Sequence, residues 1–167
     1  MRSKLSSAEK LIIRKGTIED SGLILEFIRK LSVYEKLAHE VTATLEKVKE
    51  SVFSENSNVK TLLAFFEGRP AGFALYFYNY STFKATKGLY LEDLYVNEED
   101  RGKGIGKKLL VELARIARNE RCGRFEWSVL DWNEPAINFY KSIGAKAMDE
   151  WTVYRLDEEG INKLSEL

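Results

Sequence analysis

The 167-residue chain predicts a mixed α/β fold, a central, mostly antiparallel sheet flanked by helices. Two observations carry that expectation. First, two aromatic and β-branched runs flank the turn Glu67-Gly68-Arg69-Pro70, the pattern of an antiparallel hairpin. Second, the next segments alternate strand, helix, strand, helix, which places helices against a sheet. The length suits a single core, since domains most often run about 100–150 residues.

Taken in order, Leu11–Lys15 is short and apolar, a first strand. Thr17 followed by Asp20 marks a helix start, and Leu23, Ile24, Phe27, Ile28 and Leu31 recur at helical spacing. Residues 34–42 read as a loop. Thr44 caps a second helix that carries Leu45, Val48 and Val52 on one face. Val59–Phe66 and residues 71–80 form the hairpin, residues 81–87 a polar connection, and residues 88–96 another strand. A glycine-rich stretch, 101–106, precedes a helix over 107–119 that buries Leu109, Leu110, Leu113, Ile116 and Ala117. Residues 125–130 form a strand. Pro135 suits the first turn of a helix reaching Lys141, and Gly144 the position just past it. Residues 145–148 and 151–156 close the chain as two short strands. No repeat or linker divides it, so residues 11–167 read as one domain behind a flexible polar segment, 1–10.

Charge and composition exclude several classes. Twenty-six basic residues balance 26 acidic ones, and 44% of residues are hydrophobic, an ordinary globular proportion that argues against disorder. No apolar run reaches the ~18–20 residues that span a bilayer, and residues 1–10 lack the apolar stretch of a secretory signal. One Cys and one His leave neither a disulfide framework nor a zinc cluster, so no metal is expected. A cytoplasmic protein, with no membrane partner, is the expectation. The balance is locally uneven. Glu92, Asp93, Glu98, Glu99 and Asp100 crowd the strand before the glycine stretch; Arg101, Lys103, Lys107, Lys108, Arg115, Arg118, Arg121 and Arg124 follow it. That pattern suits a cationic substrate beside an anionic cofactor, although on charge alone a solvated basic helix face is the simpler reading.

The segment Arg101-Gly102-Lys103-Gly104-Ile105-Gly106-Lys107 sets three alternate glycines between a strand and a helix. Glycines let a ligand approach the main chain, and a helix start attracts phosphate. A Walker loop fails here, because Arg101 replaces its glycine and Lys108 its Ser/Thr. A dinucleotide fingerprint fails at Lys107. The pattern Arg/Gln-x-x-Gly-x-Gly/Ala fits at Arg101, Gly104 and Gly106. It resembles the acetyl-CoA pyrophosphate loop of the GNAT N-acetyltransferase superfamily. The flanks Tyr90-Leu91-Glu92-Asp93-Leu94-Tyr95-Val96 and Asp131-Trp132-Asn133-Glu134-Pro135-Ala136-Ile137-Asn138-Phe139-Tyr140-Lys141, with Tyr34-Glu35-Lys36-Leu37, resemble the diamine acetyltransferases. These are the spermidine/spermine N-acetyltransferases and their thialysine-acetylating relatives. The resemblance spans about residues 11–156 and implies a single twisted-sheet GNAT domain, acetyl-CoA as cosubstrate and a homodimer.

The chemistry sets the roles. An alkylamine of pKa ~10.4 is neutral in about one molecule in 2,500 at pH 7, so losing its proton costs roughly 4–5 kcal/mol without a base. Glu92 is the candidate base, directly or through water; otherwise it is a charged residue on a strand face. Asp93 alternates to the opposite face of a regular strand, so both reach one site only across a bulge. The resemblance implies such a bulge, with amides near Leu94, Tyr95 and Val96 turned toward the acetyl carbonyl and pantetheine. It also implies that Tyr140 protonates the departing thiolate, although a packing aromatic explains the same spacing. Asn133, with Glu134, Pro135 and Ala136, is implied to meet pantetheine, although Asn133 also suits a helix cap. By the same likeness Tyr34, Glu35 and Asp93, with Glu126, Trp127 and Ser128, line the amine groove. Tyr80-Ser81-Thr82-Phe83-Lys84 departs from the polyamine enzymes and looks more like the thialysine branch. Cys122 has no partner pattern for a nucleophile. The reading is direct acetyl transfer to a small primary amine. Its alternatives are a non-catalytic acetyl-CoA- or nucleic-acid-binding module, or acetylation of protein amines.

Overall fold

A computed structural model of the chain describes residues 10–167; the polar segment expected over 1–10 falls outside these but for Lys10. The chain divides into two compact units, one ending at Ser128 and the other Val129–Leu167.

The first unit is built on a five-stranded sheet in sequence order: β1 (Leu11–Lys15), β2 (Val59–Phe66), β3 (Arg69–Ser81), β4 (Thr86–Val96) and β5 (Phe125–Trp127). The first four pair antiparallel and β5 runs parallel to β4, so the sheet is mixed and mostly antiparallel, as the sequence predicts. Glu67 (φ 51°) and Gly68 (φ 80°) both take left-handed backbone in the β2–β3 turn, the conformation that joins tight hairpins without splaying the strands. Two bulges interrupt the ladder. Phe65 pairs with Pro70 and Ala64 with Gly72, which leaves Ala71 extra beside a proline that has no N–H to offer. In β4, Leu91 faces Tyr76 and Asp93 faces Leu75, so Glu92 has no opposite number.

Helix α1 (Ser21–Tyr34) follows a short 3₁₀ turn whose Thr17 and Asp20 form a reciprocal capping box. Arg14 grips both Asp20 oxygens at 2.7 and 2.8 Å and holds that carboxyl far below the usual range. Helix α2 (Leu45–Phe53) starts where Thr44 Oγ1 accepts the Lys47 N–H. Their apolar faces meet the sheet in a core of Ile24, Leu25, Phe27, Val48, Val52, Leu63 and Phe73. Phe27 stacks on Phe73 with ring centres 5.4 Å apart. Helix α3 (Ile105–Asn119) begins two residues earlier than expected, because Gly104 at φ 79° turns the chain directly into it. It buries Leu109, Leu110, Leu113 and Ala117.

The second unit holds α4 (Glu134–Ser142) and α5 (Glu158–Ser165). The strands expected at 145–148 and 151–156 do not form; both stretches are irregular, and Trp151, Val153 and Tyr154 are exposed. β-branched and aromatic residues fit a pleated surface but make no strand without a neighbouring ladder, and this unit contains none. Helix α5 is not expected from the sequence, although Asp157 caps it by accepting the Gly160 N–H at 2.8 Å. The strand expected over 125–130 stops at Trp127, whose partner Leu91 is the last β4 residue before the Glu92 bulge. No helix among the described residues is long and apolar enough to cross a membrane.

Candidate active site

The bulge in β4 leaves Glu92 outside the ladder, next to Asp93, which stays paired with Leu75. Glu92 is exposed, while Asp93 is largely shielded from water. Burial, then the charges of Glu92 and Glu35, push the Asp93 carboxyl up to about 7. Burial also raises Glu35, which follows the last residue of α1. Three carboxylates from two elements thus share one region, and their mutual repulsion makes it a place for a cation. Beyond Leu91, β4 continues through Leu94, Tyr95 and Val96 past the last β5 pair, so β5 does not cover that edge.

The glycine stretch connects β4 to α3. Gly102 and Gly104 sit at φ 75° and 79°, and no heavy atom lies within 4 Å of where a Cβ would stand at either. The main chain is open there to a large anionic group, at the start of a 15-residue helix whose dipole favours one. Gly106 lies inside the helix, with Ile105 buried beneath the loop and Lys107 exposed. Arg101 donates through Nε to the Val96 carbonyl at 3.2 Å. Its guanidinium lies 4.6 Å from the centre of the Tyr34 ring and 5.7 Å from that of Tyr95. The loop therefore touches the residue that precedes Glu35.

On β5, Glu126 is held by Arg124 Nε at 2.7 Å and by Asn79 Nδ2 at 3.0 Å. Its charge is already compensated by the protein, unlike that of the Asp93 group. Trp127 packs edge-on against Phe125, and Ser128 Oγ shares a 2.7 Å hydrogen bond with the Tyr90 hydroxyl. In the second unit, Asn133 Oδ1 accepts the Ala136 N–H at 3.4 Å, and Glu134 and Pro135 form the first turn of α4. Asn133 is thus a helix cap. Tyr140 lies half-buried on the last turns of the same helix, its ring 5.7 Å from that of Phe139.

Residues 27–145 match the acetyltransferase (GNAT) family, across both units. The chain belongs to this family. A mouse thialysine N-epsilon-acetyltransferase is 36% identical over 92% of this chain and 96% of its own. An L-ornithine N5-acetyltransferase of Arabidopsis thaliana is 44% identical over 58% of this chain and 42% of its own. Among solved structures, an integron cassette protein from the mobile metagenome of V. cholerae superposes with a TM-score of 0.79 at 33% identity, covering 95% of this chain and 99% of that one.

Members of the family use acetyl-CoA as cosubstrate, and the open main chain at Gly102 and Gly104 fits its pyrophosphate. Sequence reasoning about this acetyltransferase passes over Asp100, Asn97 and Arg69. Asp100 stands in the acidic run that the sequence reads as suiting a cationic substrate, yet it is wholly buried. Its only sequence signal is the basic residue three positions on, Lys103.

Proposed function

We propose that this acetyltransferase transfers acetyl directly from acetyl-CoA to the primary amine of a small lysine-like substrate, such as thialysine, or of a short diamine. The observation that carries the reading is the shielded Asp93 beside Glu92 and Glu35, a group whose repulsion a bound ammonium relieves. Tyr34, Glu35, Asp93, Trp127 and Ser128 then frame the amine, with Glu92 removing its proton directly or through water. Glu126 contributes through Asn79 and Arg124, setting the wall of the groove.

The amides of Leu94, Tyr95 and Val96 face the acetyl group and pantetheine. The amides from Arg101 to Lys107 receive the pyrophosphate; Asn133, Glu134, Pro135 and Ala136 border pantetheine. Tyr140 delivers a proton to the sulfur, whose conjugate acid has a pKa of ~8.5 by analogy with cysteine. Residues 11–167 act as one catalytic domain, which agrees with a family match crossing both units. A homodimer in the cytoplasm follows from the likeness to the diamine acetyltransferases and from a chain with one cysteine. The binding-module reading loses ground because membership of an acetyltransferase family explains the basic loop.

The test is a panel of amines with acetyl-CoA, following thiol release. Thialysine, lysine, ornithine and short diamines should give higher kcat/KM than spermine. A spermine value well above every small amine overturns the substrate class, and silence across the panel overturns the activity.

A further inference from the structure

A carboxylate with no water contact stands at the root of the glycine loop. Asp100 is 0% exposed, while residues 101–104 that follow it are all exposed. Its Oδ1 accepts from Lys103 Nζ at 2.7 Å and from Arg69 Nη2 at 2.9 Å; Oδ2 accepts from Arg69 Nη1 at 3.1 Å. The Asp100 N–H donates to the Asn97 carbonyl at 2.9 Å.

Asn97 is itself buried and is tied to the bulge in β3. Its N–H donates to the carbonyl of Ala71, the unpaired residue, at 2.8 Å, and its Nδ2 to the Pro70 carbonyl at 3.0 Å. Lys30 Nζ donates to its Oδ1 at 3.2 Å. The loop is therefore moored to β3 through two side chains, Asp100 on Arg69 and Asn97 on the Pro70 carbonyl, and Lys103, within the loop, completes the mooring at Asp100. Lys103 Nζ also lies 4.9 Å from the centre of the Phe66 ring.

We propose that Asp100 is the positioning residue of the cofactor loop, and that Lys103 supports cofactor binding by holding Asp100, not by touching phosphate. A buried carboxylate is tolerated only when paired and hydrogen-bonded, so moving the Lys103 ammonium to a ligand would strip it of one of two cations. With Lys103 in place, the left-handed turns at Gly102 and Gly104 keep their amides on the open side of the loop. The proposal rests on reading this loop as the acetyl-CoA site.

Calorimetric titration of CoA into the parent, Lys103→Met, Asp100→Asn and the double variant, with the Tm of each, tests it. The parent should bind CoA; no binding overturns the reading of the loop itself. Given parent binding, each single variant should weaken CoA by about tenfold, as misplacement of a binding group does, with kcat at saturating acetyl-CoA within about twofold. The double variant should be no weaker than the single ones, because both substitutions cut the same tether. The Lys103→Met loss should be equal at about 50 mM and about 500 mM salt, since a lost phosphate contact would matter less as screening rises. An unchanged Kd in folded Asp100→Asn, additive losses, or a Lys103→Met loss that fades with salt overturns the proposal. In Lys103→Met the Asp100 carboxylate keeps Arg69, and the Tm of that variant reports whether the fold is kept. Its salt series then decides even if Asp100→Asn does not fold, and an unchanged Kd in Lys103→Met also overturns the proposal.

Discussion

Tyr140 and Glu92 divide the proton traffic, and single-atom substitutions separate their roles. General acids and bases contribute typically ~10²–10⁴-fold, so Tyr140→Phe should lower kcat by about that factor while leaving the KM for acetyl-CoA near the parent value. Parent-like turnover would mean that the proton on sulfur comes from elsewhere. Glu92→Gln should lose activity at pH 7 and regain part of it near pH 10, where more of the amine is already neutral; a flat deficit across a pH–rate profile would remove Glu92 as base. Asp93 makes a claim on stability. An ordinary aspartate titrates at 3.8 and this one, in the fold, at about 7, so between those values the folded protein holds a proton that the unfolded chain has lost. Stability therefore falls as pH rises from about 4 to about 7 and remains lowered above. Asp93→Asn should melt higher than the parent at pH 8, by an amount on the order of 4 kcal/mol at most, and the gap should close toward pH 4. Denaturant melts at both values check it. Sequence alone names all three residues, but Asp93 becomes shielded through packing that no local pattern encodes.

At the level of elements, legibility follows the source of each element's stability. Helices α1 and α2 are readable because their caps and apolar faces are local in sequence, with Thr17, Asp20 and Thr44 announcing them; α3 is readable from its apolar face alone, since Gly104 offers no side-chain cap. The stretches near 145–156 read as strands and are not, because a strand is a property of two segments and the sequence pattern shows only one. The Asp100 mooring is invisible for the same reason: Arg69 and Asn97 are 31 and three residues from it, and nothing in either stretch announces the other. The β4–α3 loop supplies the prediction at this scale. Gly104 has room for a side chain but not the right backbone, since φ 79° penalises any L-residue, a β-branched one most. Gly104→Val should therefore deform the loop and raise the KM for acetyl-CoA, with α3 retained by circular dichroism. An unchanged KM in a folded protein would place the pyrophosphate elsewhere.

Across the whole molecule, the sheet arranges its chemistry by a mismatch of length. From Thr86 to Val96, β4 uses eleven residues to run alongside the ten of β3 from Ser81 to Gly72. The surplus residue is Glu92, the candidate base, so the molecule carries its reactive group as an insertion in the ladder. Shortening the chain by that one residue leaves every other pair in register, with Leu91 still opposite Tyr76 and Asp93 still opposite Leu75. A protein with Glu92 deleted should thus fold, melt no lower than Glu92→Ala, and acetylate nothing. The same cut at a neighbouring residue, Tyr90 or Leu94, shifts side chains between the two faces and should cost the fold. Comparing the three deletions by Tm and turnover would show whether the length of this strand, more than the identity of its residues, separates an enzyme from an inert sheet of the same shape.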